Sequence, residues 1–407
     1  MYKEIAEDLI EIFNNKAYLS IVVDSRMKKI NDNDKKLYTK IIYGVCEKKL
    51  YLDYLVSDLV KGKRLKPTLR NFVRIGIYMF EYLNMEKYHI VNSLVEEIKK
   101  VDFHSTNMLN GILRNYLRTP KKSLPKDIIQ ALSLKLSLPM ELTKLLYNQY
   151  GKEIEDFYLD SVSYNTYRIN TIKVDLKTIY DYLDKEEIEY QRIDDGFITK
   201  ANLIHNELFS DGLISMQDAS SMKVAQMVDL KENLDVLDAC SAPGGKSLHL
   251  AALMNNKGHI LCGDIYPNKL NKIIENTNRL GVINIEILLA DASTYDYHKQ
   301  FDVVLCDAPC SGLGTINHKP DLKYHLTLYD IDEIKELQMN IINHLSSFVK
   351  KGGELIYSTC TINKDENENQ INKFINCHPE FIKLDELLIK PNKIQDGFYI
   401  CKLKRKD

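Results

Sequence analysis

Five short apolar segments, each followed by a stretch long enough for a helix, occupy the chain beyond Ser215. They are DVLDA (235–239), HILCGD (259–264), IEILLAD (285–291), FDVVLCDAP (301–309) and GELIYSTC (353–360). Strands that are apolar along their whole length are buried on both faces, and helices between them favour parallel neighbours. The pattern therefore predicts an α/β Rossmann-like domain with a doubly wound parallel sheet over residues 211–407.

The first 125 residues follow a different periodicity. Apolar residues recur there at steps of three and four, as in Leu69, Phe72 and Ile77, and this spacing predicts amphipathic helices. Strand signals are few before the Pro- and Lys-bearing run TPKKSLPKD (119–127), which resembles a domain boundary. We expect an all-α N-terminal domain over residues 1–125.

Residues 126–210 mix the two kinds of signal. Helical patterns at 140–150 and 176–184 flank the strand-like TYRINTIKV (166–174). The chain therefore reads as multidomain, with a small α+β connector between the all-α domain and the Rossmann-like domain.

Charge is unevenly distributed along the chain. Residues 1–125 hold 23 Lys and Arg against 15 Asp and Glu, an excess of 8 positive charges, although the whole chain has a net charge of −2. Such a balance suits an anionic partner such as nucleic acid, but it equally fits a solvated basic helical surface.

The N-terminal sequence and the cysteines indicate the compartment. No unbroken apolar h-region opens the chain, and no later stretch approaches the length needed to span a bilayer. The 8 cysteines are scattered and form no CxxC pair, which is unfavourable for a disulfide framework or a zinc site. We expect a cytoplasmic monomer with reduced thiols, no metal and no membrane association.

The segment LDVLDACSAPGGKSLHL (234–250) runs from a strand through a Gly-Pro loop into a helix. It matches neither GxGxxG nor GxxxxGK[ST], which disfavours a nicotinamide or P-loop site. Asp264 ends the next strand, twenty residues after Gly244, a position suited to ribose hydroxyls; Asp291 and Asp307 end the following two. The three acids together favour an adenosine ligand, although each alone also fits a helix cap or turn.

Two thiols follow neighbouring strands: Cys310 in DAPCSG (307–312) and Cys360 in STCT (358–361). A free cysteine is often only a small buried hydrophobe, but placement at the ligand edge of the sheet favours chemistry. Carbon 5 of cytosine is too weak a nucleophile to attack a methyl sulfonium until a nucleophile adds to carbon 6, and a thiolate performs that addition. Nearby positive charge should promote thiolate formation.

At these motifs the sequence resembles the NOL1/NOP2/Sun family of RNA cytosine-5 methyltransferases, in particular its bacterial members that modify 16S rRNA. YGVCEKKLYLD, IGIYMFEYL, VNSLVEEIKK and NGILRNYLR look like a NusB-type RNA-binding domain. RINTIK and MQDASS resemble the connector of the family, and DGFYICKLKR is similar to its last strand.

The resemblance implies S-adenosylmethionine as the cofactor, Cys360 as the nucleophile and Cys310 as an aid to product release. It also implies contacts of Asp307 with the flipped base. The implied cofactor-binding residues are Cys240, Ser241, Ala242, Pro243, Gly244, Gly245, Lys246, Asp264, Asp291 and Asp307.

The resemblance implies 16S rRNA as the substrate, free or within a small-subunit assembly intermediate, with an unpaired cytosine extruded into the site. A different RNA cytosine and a non-catalytic RNA-binding role are the alternatives. A methyltransferase of exocyclic amino groups would instead place a DPPY- or NPPY-type tetrapeptide where DAPC stands.

One segment departs from the family pattern. Asn317-His318-Lys319-Pro320-Asp321 replaces an arginine-rich stretch, and lysine does not reproduce the bidentate phosphate contacts of arginine. RNA contacts there are expected to be weaker, or shared with Lys323.

Overall fold

The computed structural model describes residues 1–60, 62, 64–158, 164–231 and 233–407, which form two compact units. The helical unit contains the described part of residues 1–158 together with the later segment 316–328. The sheet unit contains the described residues of 164–315 and 329–407. A short piece of chain that lies between two parts of the sheet unit in sequence therefore packs within the helical unit.

The helical unit is built around apolar helix faces. Leu69, Phe72 and Ile77, whose spacing predicted a helix, are buried in its core, and Pro67 opens their helix at a position where no N–H is needed. The predicted all-α organisation is confirmed. The helices are α1 (Tyr2–Asn14), α2 (Leu19–Met27), α3 (Asp32–Val56), α4 (Pro67–Tyr82), α5 (Lys87–Lys99), α6 (Thr106–Arg118), α7 (Ile128–Lys135), α8 (Met140–Tyr150) and α9 (Ile154–Phe157). The division at residue 125 stays a prediction, and the compact unit groups α7 to α9 with the preceding helices.

The segment 316–328 is tied into the helical unit by polar contacts. The Asp321 carboxylate accepts the backbone N–H of Leu19 at 2.9 Å, at the start of α2. Lys323 is 1% exposed and donates to the backbone carbonyls of Glu47 and Leu136 at 2.9 and 3.2 Å. Burial lowers the pKa of Lys323 to about 7. The expectation that Lys323 shares RNA contacts is therefore wrong, because its ammonium is enclosed by the protein.

The connector region forms a small antiparallel sheet. Its elements are β1 (Asn165–Ile169), α10 (Leu176–Lys185), β2 (Tyr190–Ile193), β3 (Gly196–Thr199), α11 (Glu207–Ser210) and β4 (Ile214–Met216), with strand order β2-β3-β1-β4. The two connector motifs meet where Arg168 Nε donates to Gln217 Oε1 at 2.9 Å. The side chain of Asn170 donates to the carbonyls of Gly212 and Leu280, both at 2.8 Å. These motifs therefore anchor the small sheet to the rest of the unit.

The remainder of the sheet unit is a seven-stranded sheet flanked by helices. Its elements are α12 (Ala219–Gln226), β5 (Asp235–Asp238), α13 (Gly245–Leu253), β6 (His259–Asp264), α14 (Pro267–Leu280), β7 (Ile285–Leu289), β8 (Phe301–Asp307), α15 (Leu328–Ser346), β9 (Val349–Thr359), α16 (Glu368–Cys377), β10 (Phe381–Ile389) and β11 (Phe398–Arg405). The strand order is β10-β11-β9-β8-β5-β6-β7. The predicted Rossmann-like fold class is confirmed.

The sheet is mixed, whereas the sequence pattern predicted a parallel one. Strands β5 to β9 pair in parallel, but β11 pairs antiparallel with both β9 and β10. Only residues 390–397 connect β10 to β11, and so short a connection joins antiparallel neighbours, because a parallel crossover needs about a dozen residues or more.

Successive residues of the central strand serve opposite faces of the sheet. Val236 belongs to one apolar cluster and Leu237 to another, as the alternation of a strand requires. The strand order reverses between β5 and β8, since β6 follows on one side of β5 and β8 on the other. Ligands of open α/β sheets bind at such a reversal, beyond the carboxyl ends of the strands.

Candidate active site

A cavity of about 340 Å³ lies at the carboxyl ends of strands β5 to β9. It combines carboxylates, thiols and apolar walls, although the residues come from widely separated parts of the sequence. The lining residues are Ala239, Cys240, Ala242, Asp264, Ile265, Tyr266, Lys269, Ala290, Asp291, Ala292, Asp307, Ala308, Pro309, Cys310, Leu337, Ile341 and Cys360. All three predicted acids and both predicted reactive thiols therefore meet at one cavity.

The loop between β5 and α13 is held by hydrogen bonds to the end of β6. The N–H and hydroxyl of Ser241 both donate to the Gly263 carbonyl at 2.9 and 3.0 Å, and the N–H of Ala242 donates to Asp264 Oδ2 at 3.3 Å. Gly244 has a φ of +99°, which L side chains rarely adopt. Of the predicted loop residues, Cys240 and Ala242 line the cavity, whereas the other five do not: Ser241, Pro243, Gly244, Gly245 and Lys246.

Two carboxylates at the cavity also have local structural roles. Asp264 Oδ1 accepts the backbone N–H of Tyr266 at 2.9 Å. Asp291 Oδ1 accepts both the backbone N–H and the hydroxyl of Ser293, at 2.9 and 2.6 Å. The hydrogen bonds from Ser293 lower the pKa of Asp291, so its carboxylate is an ionised acceptor. A structural role in a turn is thus compatible with a ligand-binding role for these two acids.

Lys246 projects from α13 to the third carboxylate. Its Nζ donates to Asp307 Oδ2 at 2.6 Å, and the Ser358 hydroxyl donates to Asp307 Oδ1 at 2.8 Å. Burial alone would lower the pKa of Lys246, but the charge of Asp307, the hydrogen bond to it and the charge of Asp238 together outweigh burial and raise the pKa. The ammonium also interacts electrostatically with Cys360. A fixed positive charge therefore lies within reach of the thiol, as the sequence reasoning required.

The two thiols are in direct contact. Cys310 Sγ and Cys360 Sγ are 3.2 Å apart, which is a hydrogen-bonding distance and far longer than the roughly 2.05 Å of a disulfide. The hydrogen bond to Cys360, followed by burial, raises the pKa of Cys310 well above its ordinary value. Cys310 therefore holds its proton firmly, and its S–H lies at hydrogen-bonding distance from Cys360 Sγ.

Glu366 is a buried residue that the sequence reasoning missed. It is fully enclosed and accepts from the Ser311 N–H and hydroxyl at 2.8 and 2.5 Å, from Asn363 Nδ2 at 2.9 Å and from Gln338 Nε2 at 3.1 Å. Gln338 Nε2 also donates to the Pro309 carbonyl at 2.9 Å. These bonds connect the loop that carries Cys310 to the loop after Cys360. The sequence offered little indication of the role of Glu366, because the polar segment DENEN (365–369) is typical of an exposed acidic stretch.

Asp238, at the end of β5, is a second residue absent from the predicted site. It is completely buried, and its Oδ2 accepts the hydroxyl of Ser247 in α13. Burial raises the pKa of Asp238 to about 7. Asp238 does not line the cavity, so its position indicates a role in holding strand and helix together.

In the part of the chain that the structure describes, no group of three or more His, Cys, Asp and Glu side chains is arranged to hold a metal ion. Among those same residues, no helix is both long and apolar enough to cross a membrane.

Comparison with known proteins agrees with this architecture. Residues 225–404 match the family described as 16S rRNA methyltransferase RsmB/F, and residues 3–118 match the NusB family. The probable ribosomal RNA small subunit methyltransferase B of Bacillus subtilis is 34% identical, over 98% of this chain and 97% of the relative. The chain belongs to the RsmB/F family. The resemblance inferred from the sequence motifs is thus confirmed.

A second relative and a solved structure also match this chain over nearly its full length. The protein of the same name from Synechocystis is 30% identical over 98% of this chain and 97% of its own. The crystal structure of PH0851 superposes with a TM-score of 0.84 at 25% identity, covering 100% of this chain and 99% of the other. The NusB match spans α1 to α6, which confirms the predicted NusB-like nature of these helices.

Proposed function

We propose that this RsmB/F protein transfers a methyl group from S-adenosylmethionine to carbon 5 of a cytosine in 16S rRNA, through a covalent adduct with Cys360. The observation that carries the proposal is the thiol pair, 3.2 Å apart at the wall of a cavity that also holds three carboxylates. A transfer to an exocyclic amine needs no such pair, whereas activation of carbon 5 needs a nucleophile.

The cavity fits the chemical groups of S-adenosylmethionine. Asp264 and Asp291 offer acceptors for ribose hydroxyls and an amino group. Ile265 and Tyr266 line the same cavity with 52% and 57% of their surfaces exposed, so an adenine ring could cover apolar surface there. The loop from Cys240 to Lys246 would border the rest of the cofactor. When bound, the cofactor supplies an electrophilic methyl group.

The proposed reaction assigns different roles to the two thiols. The Cys360 thiolate forms a bond to carbon 6 of cytosine, which makes carbon 5 nucleophilic towards the methyl group. After the transfer, a base must take the proton from carbon 5. The electron pair of that C–H bond then re-forms the double bond between carbons 5 and 6, and sulfur leaves with the electron pair of its bond to carbon 6, which restores the thiolate. Cys310 keeps its proton and contacts Cys360 directly, so it can stabilise the departing thiolate during product release.

The proposed RNA substrate agrees with the positive charge of the N-terminal region. Residues 1–125 carry an excess of 8 positive charges, and phosphate neutralisation supplies much of the affinity of RNA-binding proteins. Since extrusion of a paired base costs a few kcal/mol, we expect an unpaired cytosine in the rRNA, either free or in an assembly intermediate.

Bisulfite sequencing tests reaction and target together. Ribosomal RNA from cells with and without the gene, and a 16S transcript incubated with purified protein and S-adenosylmethionine, would be read at every cytosine. We expect one 16S cytosine to be protected only when the protein is present. Unchanged cytosines in both experiments would contradict the proposal, and methylation in another RNA would correct the substrate.

A further inference from the structure

A second, smaller cavity lies wholly within the helical unit. It has a volume of about 160 Å³ and is bordered by the end of α1, the second half of α3, residues 64–65 and the first half of α4. Four of its lining side chains are cationic, namely Lys49, Arg64, Arg70 and Arg74. No carboxylate lines the cavity in the described residues. We call it the basic cavity.

The cations of the basic cavity are poorly compensated. Asp53 forms a bidentate ion pair with Arg74, with distances of 2.8 Å to Nε and 2.7 Å to Nη2. Arg74 is therefore satisfied within the protein. Lys49, Arg64 and Arg70 have no ion pair within 4 Å among the residues that the structure describes. The cavity thus keeps a local excess of positive charge.

Lys49 carries part of this positive charge in a largely buried position. Its ammonium lies 4.6 Å from the centre of the Phe13 ring and 4.2 Å from the centre of the Tyr324 ring. Burial and then the neighbouring charge of Arg74 lower the pKa of Lys49 to about 8. A bound anion would stabilise the protonated form, because it would supply the opposite charge that the protein does not.

The start of α4 adds a favourable dipole. Pro67 and Arg70, in its first turn, line the cavity, and no side chain caps this helix end. A helix N-terminus carries a partial positive charge, which favours anions. Guanidinium groups bind phosphate oxygens in a bidentate manner. The cations and the helix end therefore select for an oxyanion.

We propose that the basic cavity binds one phosphate of the RNA backbone and so positions the rRNA on the helical unit. This inference rests on the proposed function, since it takes RNA as the substrate. It goes beyond the general basic character of residues 1–125 by assigning a contact to Arg64, Arg70 and Lys49. Phosphate contacts fix the register of a protein on nucleic acid without reading its sequence.

The test compares the salt dependence of RNA binding between two double variants of the full-length chain. Arg64→Gln/Arg70→Gln removes two cations from the basic cavity, and neither side chain makes an ion pair in the described residues. Lys87→Gln/Lys99→Gln removes the same charge from exposed positions of α5. Affinity for a 16S transcript would be measured between 50 and 200 mM salt, an interval in which phosphate contacts change binding strongly.

We expect the slope of log K against log salt to become shallower by about 0.7–0.9 in the cavity variant, the value for one phosphate, and to stay constant in the α5 variant. Equal slopes in wild type and cavity variant, or equal losses in both variants, would overturn the proposal. Thermal melts in inorganic phosphate distinguish the source of the anion. Inorganic phosphate could stabilise the wild type and not the cavity variant, while the salt slope of RNA binding stays the same in both proteins. That result would indicate a site for free phosphate and would also overturn the proposal.

Methyl transfer by the wild type, measured in parallel, separates this inference from the proposed function. If the wild type shows no methyl transfer but the salt slope of RNA binding becomes shallower in the cavity variant, only the proposed function is contradicted. If the wild type transfers the methyl group normally but the salt slope is unchanged in the cavity variant, only phosphate binding by the basic cavity is contradicted.

Discussion

Replacement of Glu366 by glutamine tests whether the buried network holds the two thiol loops. The carboxylate accepts from the Ser311 N–H, the Ser311 hydroxyl, Asn363 and Gln338. Glutamine has nearly the same shape but turns one acceptor oxygen into a donor. If the amide nitrogen takes the Oε2 position, it meets two donors, the Ser311 N–H and Gln338 Nε2. If it takes the Oε1 position, the Ser311 hydroxyl can rotate to accept, but Asn363 Nδ2 is left facing another donor.

The second arrangement is the less costly, and it leaves one buried donor unpaired. Such a group costs about 1–3 kcal/mol. For a unit of 150–250 residues, about 2–4 °C of Tm corresponds to each kcal/mol, so Glu366→Gln should lower the Tm of the sheet unit by roughly 2–12 °C. Methyl transfer should fall as well, because Ser311 directly follows Cys310 in the chain.

The matched control is Glu368→Gln. Glu368 lies in the same acidic run, but its buried Oε2 has no hydrogen-bond partner in the described structure, and burial raises its pKa. Neutralising it should cost little or slightly stabilise the fold. Thermal melts followed by near-ultraviolet circular dichroism, together with transfer rates, compare the two variants. A Glu366→Gln protein that melts with the wild type, or no lower than Glu368→Gln, would refute the reasoning.

Substitutions at the thiol pair, at Asp238 and at Asn170 test other parts of the sheet unit. Cys360→Ala should abolish turnover, whereas Cys310→Ala should accumulate a covalent protein–RNA adduct visible on a denaturing gel; an adduct with Cys360→Ala would reverse the two roles. The pKa of Asp238 is raised from 3.8 to about 7, so its protonation favours the folded state at pH 4 and this contribution disappears as the pH rises through 7. The stability of the wild type relative to Asp238→Asn should therefore fall between pH 4 and 8, by up to about 4 kcal/mol, and an equal difference at both pH values in urea titrations would contradict the buried acid. Asn170→Ala leaves two backbone carbonyls without their donor and should cost about 2–6 kcal/mol, at about 1–3 kcal/mol for each, with urea unfolding as the measurement; a loss below about 0.5 kcal/mol would show that the small sheet is anchored elsewhere.

The sequence alone determined the features that depend on local periodicity and on motifs at strand ends. Apolar runs bounded by helix-length segments predicted β5 to β9, and three- and four-residue spacing predicted the helices of the N-terminal region. Because parallel strands present their carboxyl ends at one edge, the sequence also predicted that Asp264, Asp291, Cys310 and Cys360 lie close together, and all four line one cavity. These inferences need only the geometry of single elements and a general rule for their assembly.

Tertiary structure decided the contacts between distant residues. The approach of Cys310 to Cys360 depends on the pairing of β8 with β9, and the burial of Glu366 depends on donors from three separate segments. Lys323 illustrates the same limit, since a lysine between two parts of the sheet unit reads as exposed until the helical unit encloses it. The solvation of a side chain depends on all the residues that pack around it. The sequence therefore shows that Glu366, Lys323 and Lys49 are ionisable, but only the fold shows how far each of them is buried.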